Sequence, residues 1–131
     1  MAKSPPTPSD LELQILATLW REGPSTVRQV IDALPDAKPR AYTSVLSVMQ
    51  VMQKKGLLKL AAERQGLAHV YKPAVTRRQA LGPVMRSMVR KVFAGSASAA
   101  VQQLLRDNRV SDEELAEIRQ MLDEMDAKNK R

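Results

Sequence analysis

Arg40, Thr43, Ser47, Gln50 and Lys54 recur at steps of three and four residues, so within a helix they share one face. The chemistry open to that stripe is recognition rather than bond making. Its middle members are short or carry an amide, as close approach to base edges in a major groove demands, and its ends are cationic and suit phosphate. Gln50 can pair with adenine through both amide groups, and Thr43 can touch a thymine methyl or a phosphate. Ser44, beside the stripe, offers a hydroxyl to a phosphate, and Tyr42 offers a phenol; packing on the first helix is the equal alternative for Tyr42. Lys54, Lys55, Lys59 and Arg77 read as phosphate groups carrying little sequence information. Arg64 stands next to a turn, from which it can enter a minor groove or touch phosphate. His69 is an exposed strand residue, with a DNA contact as the second reading. Plain solvent exposure competes for every polar member of the set.

Other chemistries are short of residues. The chain of 131 residues has no cysteine and one histidine, which removes disulfides, iron–sulfur clusters, thiol catalysis and His-cluster metal sites. The acids gather toward the C-terminus, where they read as the solvent face of an amphipathic helix rather than as positioned carboxylates. Neither catalytic nor metal-ligating residues are assigned, and no cofactor is implied. Aromatics make up only 3% of the chain, against 44% apolar residues, which disfavours a large sandwich or barrel. No apolar run approaches the roughly 18–20 residues of a membrane helix, and the opening MAKSPPTPSD lacks the apolar stretch of a signal peptide. A cytoplasmic protein without membrane insertion is the expectation.

The elements that must carry the stripe are legible from caps and periodicity. Residues 1–8 are Pro-rich and read as a disordered arm. Ser9 and Glu12 have capping-box spacing and open a helix through Leu11, Leu13, Ile15, Leu16, Leu19 and Trp20, which Gly23-Pro24 ends. Ser25 or Thr26 caps a short helix with Val27, Val30, Ile31 and Leu34, followed by a loop bounded by Pro35 and Pro39. A third helix is expected from about Arg40 to Lys55, with Val45, Met49 and Met52 facing the core. Residues 57–63 and 67–72 then flank a turn-like Arg64-Gln65-Gly66, the pattern of a hairpin. Three helices and a basic hairpin read as a winged helix-turn-helix over residues 9–75, with Tyr71 closing the wing against the core.

Residues 76–131 read as a helical dimerisation region, so the fold class is mainly α with a small β-hairpin. Thr76 and Gln79 cap a helix bearing Leu81, Val84, Met85, Met88, Val89, Val92 and Phe93, with a kink or late start expected at Gly82-Pro83. Gly95-Ser96 breaks the chain ahead of Ala100, Val101, Leu104 and Leu105. Ser111 and Glu114 open a last helix, in which Leu115, Ile118, Leu122 and Met125 follow at 3-4-3 spacing with Met121 alongside, a coiled-coil-like seam. Short helices cannot hide such stripes alone, so a second subunit is expected over Val89, Phe93, Val101, Leu104, Leu105, Leu115, Ile118, Met121, Leu122 and Met125; folding back onto the N-terminal core is the alternative. Charge follows the same division. The net charge is +7, yet residues 38–78 hold nine basic groups against one acid, while residues 106–131 hold six against eight. A basic middle with a near-balanced tail suggests a polyanion-binding surface joined to something else.

Several segments resemble one family in register. Ala41-Tyr42-Thr43-Ser44-Val45-Leu46, with Lys54-Lys55-Gly56-Leu57-Leu58, is similar to the third-helix signature of the penicillinase repressors (the BlaI/MecI/CopY family). Gln65-Gly66-Leu67-Ala68-His69-Val70-Tyr71-Lys72-Pro73 resembles their wing, and Phe93-Ala94-Gly95-Ser96 and Ser111-Asp112-Glu113-Glu114-Leu115 resemble their C-terminal helices. The resemblance covers about residues 9–125. It implies a homodimeric transcriptional repressor that binds a double-stranded, two-fold operator, with a membrane sensor protease as a further partner. This chain departs from the family at three points. It lacks the cysteine cluster of the copper-responsive branch. Gln103-Leu104 stands where the β-lactam-responsive branch has its Asn-Phe cleavage site, so a cut there needs a different specificity. Val51 replaces a residue that is often basic. The other function class is a winged-helix adaptor that binds protein instead of DNA.

Overall fold

In the computed structural model, which describes residues 8–35 and 39–130, each helix begins on a capping arrangement or a backbone break. Residues 1–7 of the expected arm and 36–38 of the proline-bounded loop lie outside the described residues. Helix α1 (Asp10–Glu22) starts on the Ser9–Glu12 box: the Glu12 N–H donates to Ser9 Oγ at 3.2 Å, and the Ser9 N–H donates to Glu12 Oε1 at 2.9 Å. Helix α2 (Val27–Ala33) is capped by Thr26, which leaves Ser25 for another use. Helix α3 (Tyr42–Lys54) begins two residues later than the spacing suggests, because Ala41 takes the extended N-cap conformation and offers no side-chain cap. Arg40 therefore precedes α3 and does not belong to its stripe.

The core assembles from the apolar faces of these three helices and the base of the wing. Ile15, Leu16 and Leu19 of α1, Val27 and Val30 of α2, and Val45, Met49 and Met52 of α3 are buried against Leu57, Leu58 and Tyr71. Each large side chain so buried stabilises the fold by about 1.5–3 kcal/mol before entropy is counted. Burial of Met49 and Met52 fixes the rotation of α3, which turns Thr43, Ser47 and Gln50 outward.

Strands β1 (Leu58–Gln65) and β2 (Ala68–Pro73) form an antiparallel hairpin, with Leu60 opposite Tyr71 and Gln65 opposite Ala68. A register irregularity lies between Leu60 and Arg64 and divides an inner half from an outer one. The turn is Gly66-Leu67, one residue beyond the expected Arg64-Gln65-Gly66. Gly66, at φ 61°, is the residue that tolerates the left-handed backbone, so the two-residue loop starts there and Arg64 and Gln65 stay in the ladder. Ser25 bridges the inner half through Tyr71, with N–H···O bonds of 3.0 and 2.8 Å.

Helix α4 (Arg77–Val92) starts directly after the reciprocal Thr76–Gln79 cap and runs through Pro83, so the late start expected at Gly82-Pro83 does not occur. At its beginning, Trp20 Nε1–H donates to the Val75 carbonyl at 3.1 Å, and the Arg77 guanidinium lies over the indole. Helix α5 (Ala97–Asp107) is capped by Ser96, and α6 (Asp112–Asn129) by Ser111, with three acids in the first turn of α6 facing the positive end of its dipole. The chain divides into two compact units between Arg86 and Ser87. In the second unit, Val101, Leu104, Leu105, Met121, Leu122 and Met125 are exposed, and Leu115, Ile118 and Phe93 are half-buried.

Candidate nucleic-acid interface

Helix α3 carries Tyr42, Thr43, Ser44, Ser47, Gln50 and Lys54 as exposed side chains. Val51 adds an apolar member to that surface. The middle of the surface is uncharged and its C-terminal end cationic, so amide and hydroxyl groups are left for directional hydrogen bonds. Tyr42 is not packed away: it is 41% exposed, and the Arg28 guanidinium of α2 lies 5.4 Å from its ring centroid. Arg28 was not singled out in the sequence. The signal was available, since the Thr26–Gln29 box puts residue 28 in the first turn of the helix-turn-helix, beside the start of α3.

The neighbouring lysines part company. Lys54 has no ion pair among the described residues, whereas Lys55 Nζ meets both Glu12 carboxylate oxygens, at 3.2 and 3.0 Å. The charge of Lys55, assigned from the sequence to phosphate, thus has a counter-ion inside the fold. Burial pushes the Glu12 carboxyl up, but the Ser9 N–H and the Lys55 ammonium outweigh it and hold its pKa below the ordinary 4.5. A carboxylate with a lowered folded-state pKa adds stability above pH 4.5, and that stability is lost as the pH falls through the folded value. Urea unfolding between pH 3 and 7 should therefore show wild type losing more stability on acidification than Glu12→Gln; equal losses would remove the pair from the acid response.

On the wing, Arg64 and His69 face each other across the outer ladder, both exposed, and Lys59 lies directly opposite Lys72. Like charges facing across a hairpin repel, and a polyanion between or beside them relieves the repulsion. Lys72 was missed for want of the register. Leu67, whose residue type and spacing suit a strand, stands 94% exposed at the tip. Tyr71 is buried, and burial, aided by the nearby Tyr42, raises its pKa above 10, so it stays a neutral core residue. Arg77, another expected phosphate group, stacks on Trp20. Among the described residues, no group of three acids or histidines is placed to hold a metal ion, and no helix is long and apolar enough to cross a membrane. Gln103 and Leu104 lie inside α5, both exposed.

The family model described as penicillinase repressor matches residues 8–124. A transcriptional regulator BlaI of Mycobacterium tuberculosis is 35% identical over 120 residues, which cover 90% of this chain and 84% of that protein. A penicillinase repressor of Bacillus licheniformis is 24% identical over 122 residues, covering 93% and 94%. Among solved structures, the solution structure of monomeric Bacillus licheniformis BlaI in complex with the blaP half-operator aligns with 60% of this chain and 93% of its own, at a TM-score of 0.47 and 23% identity.

Proposed function

The chain belongs to the penicillinase repressor family of transcriptional regulators, which are not enzymes, and from that premise we propose that it is a homodimeric repressor of a pseudo-palindromic DNA operator. The observation that carries the reading is the outward face of α3, polar and uncharged in its middle and cationic at Lys54, on a helix whose rotation the buried Met49 and Met52 fix. In this role Gln50, Ser47 and Thr43 read base edges in the major groove, while Lys54, Ser44, Tyr42 and Arg28 hold phosphates. Arg40 adds charge ahead of the helix, and Arg64 and His69 extend the contact along the wing. The facing lysines of the wing favour a polyanion over a protein partner, so the adaptor reading falls behind. The site of action is the compartment that holds the chromosome, the cytoplasm.

Two-fold binding needs a second subunit, and the uncovered apolar side chains of α4–α6 supply a surface for it. Release then follows from separating the half-site readers, either by a cut in residues 95–110 by a sensor protease or by another signal acting there. A cut at Gln103-Leu104 requires α5 to open first, because a protease takes extended chain. No residue of α5 is buried in the single chain, so in the dimer the cost of opening is mainly what Val101, Leu104 and Leu105 gain from the second subunit.

The test is a pair of substitutions on a preferred duplex and on random duplex across a salt series. Gln50→Ala should cost about 1–3 kcal/mol per subunit on the preferred sequence and little on random DNA. Lys54→Ala should weaken both alike and lower the salt slope by about one per subunit. If the two variants behave alike, the division of α3 into base-reading and phosphate-holding groups fails.

A further inference from the structure

Among the described residues, two of the three reciprocal capping boxes do a second job through the side chain that closes them. In α1 the closing residue is Glu12, whose carboxylate also takes Lys55 from the end of α3. In α2 it is Gln29. Its Oε1 accepts the Thr26 N–H at 2.9 Å, its own N–H donates to Thr26 Oγ1 at 3.2 Å, and its Nε2 donates to Gln65 Oε1 at 3.0 Å. An amide is the side chain that can close the box with its oxygen while still offering a donor. Gln65 is the last residue of β1, beside the Gly66-Leu67 turn. The helix that opens the helix-turn-helix is thus bonded to the wing close to its tip.

That bond falls where the wing most needs one. The outer half pairs through Arg64 with His69 and Gln65 with Ala68, and the register irregularity after Leu60 separates it from the inner half, which Ser25 and the buried Tyr71 anchor. A two-stranded ribbon is marginal alone, and such a break interrupts the ladder that would hold its outer half. We infer that Gln29 is a positioning residue for DNA binding: through Gln65 it holds the outer wing, with Arg64, Leu67 and His69, at a set angle to the helix-turn-helix. The inference rests on the repressor reading for its functional half, though not for the latch itself. It assigns Gln29 no contact with DNA.

The experiment combines amide hydrogen exchange on the free full-length protein with duplex binding, for Gln65→Met, Gln29→Met and the double variant. Gln65→Met leaves the Thr26–Gln29 box intact and changes no charge, so global stability stays near wild type. Gln29→Met also opens the box, which lowers stability but reports on the same latch. Exchange at residues 64–69 should quicken in both single variants. Each should bind the preferred duplex about 2- to 10-fold more weakly, the worth of one hydrogen bond, and the double variant no more weakly than the worse single. Unchanged wing exchange overturns the latch. Additive losses overturn the positioning role, since they make Gln65 an independent DNA contact. Faster exchange in a protein whose wild type binds no duplex keeps the latch, overturns its role in DNA binding, and rejects the repressor reading with it.

Discussion

Ile118→Asp is expected to turn the proposed dimer into a monomer in sedimentation, with the helical signal of the chain largely kept. Ile118 sits between Leu115 and Leu122 in the 3-4-3 series of α6, and it is half-buried even in the single chain. In the proposed dimer, association completes its burial, so an aspartate there brings an unpaired charge into an apolar seam, at a cost of several kcal/mol. The consequence reaches the DNA without any change in the residues that meet it. Two linked half-site readers bind the second half-site at high effective concentration, and losing the link lowers apparent affinity by about 10²- to 10⁴-fold. On a duplex with a single half-site the same variant should bind as the wild type does. Glu117→Gln, on the neighbouring exposed position, serves as the control and should leave assembly unchanged. An intact dimer in the Ile118→Asp variant would place the interface elsewhere on α4 or α5.

Lys55→Ala should destabilise the protein by about 2–3 kcal/mol, because it leaves the buried Glu12 carboxylate without the ammonium that meets both its oxygens. For a domain of this size that is a fall of roughly 10 °C in Tm. The neighbouring Lys54→Ala should leave Tm within about a degree, since an exposed lysine with no ion pair among the described residues supports little. On DNA the order reverses. Lys54→Ala lowers the salt slope by about one per subunit, while Lys55→Ala lowers it by much less, because the Lys55 ammonium is already neutralised by Glu12 and displaces few of the cations condensed on the DNA. Replacing the pair together, Glu12→Gln with Lys55→Met, should recover part of the stability lost in Lys55→Ala, since no unpaired charge is then buried. A full unit lost from the slope, with Tm unchanged, would mean that Lys55 leaves Glu12 for phosphate.

What the sequence could not reveal lies mostly in side chains that meet across long stretches of chain. Caps and apolar periodicity are local, so the Ser9–Glu12 box, the end of α1 at Gly23 and the inward stripe Val45, Met49 and Met52 were readable. Periodicity alone could not locate the start of α3, because Arg40 keeps the spacing of the stripe while Ala41, held extended, ends the run before it. The hairpin was evident from its composition, but its register was not, and register decides both that the turn is Gly66-Leu67 and that Lys59 faces Lys72. By residue type Lys55 is one more phosphate group, and only the fold brings it to Glu12, 43 residues away. Gln29 and Gln65, 36 residues apart, gave no signal beyond the cap. The candidate surface on α3 was thus legible from residue types, whereas the contacts that hold its neighbours in place required the fold.

The most direct test is selection of binding sites by the full-length protein from a pool of random duplexes at physiological salt. The enriched sequence should be two-fold symmetric, with half-sites centred about 10 bp or a multiple apart. Inserting about half a turn between the halves should abolish the gain from pairing them. An enriched site with a single asymmetric half, indifferent to that insertion, would contradict a dimeric repressor reading DNA through α3, and so would a pool with no enrichment at all.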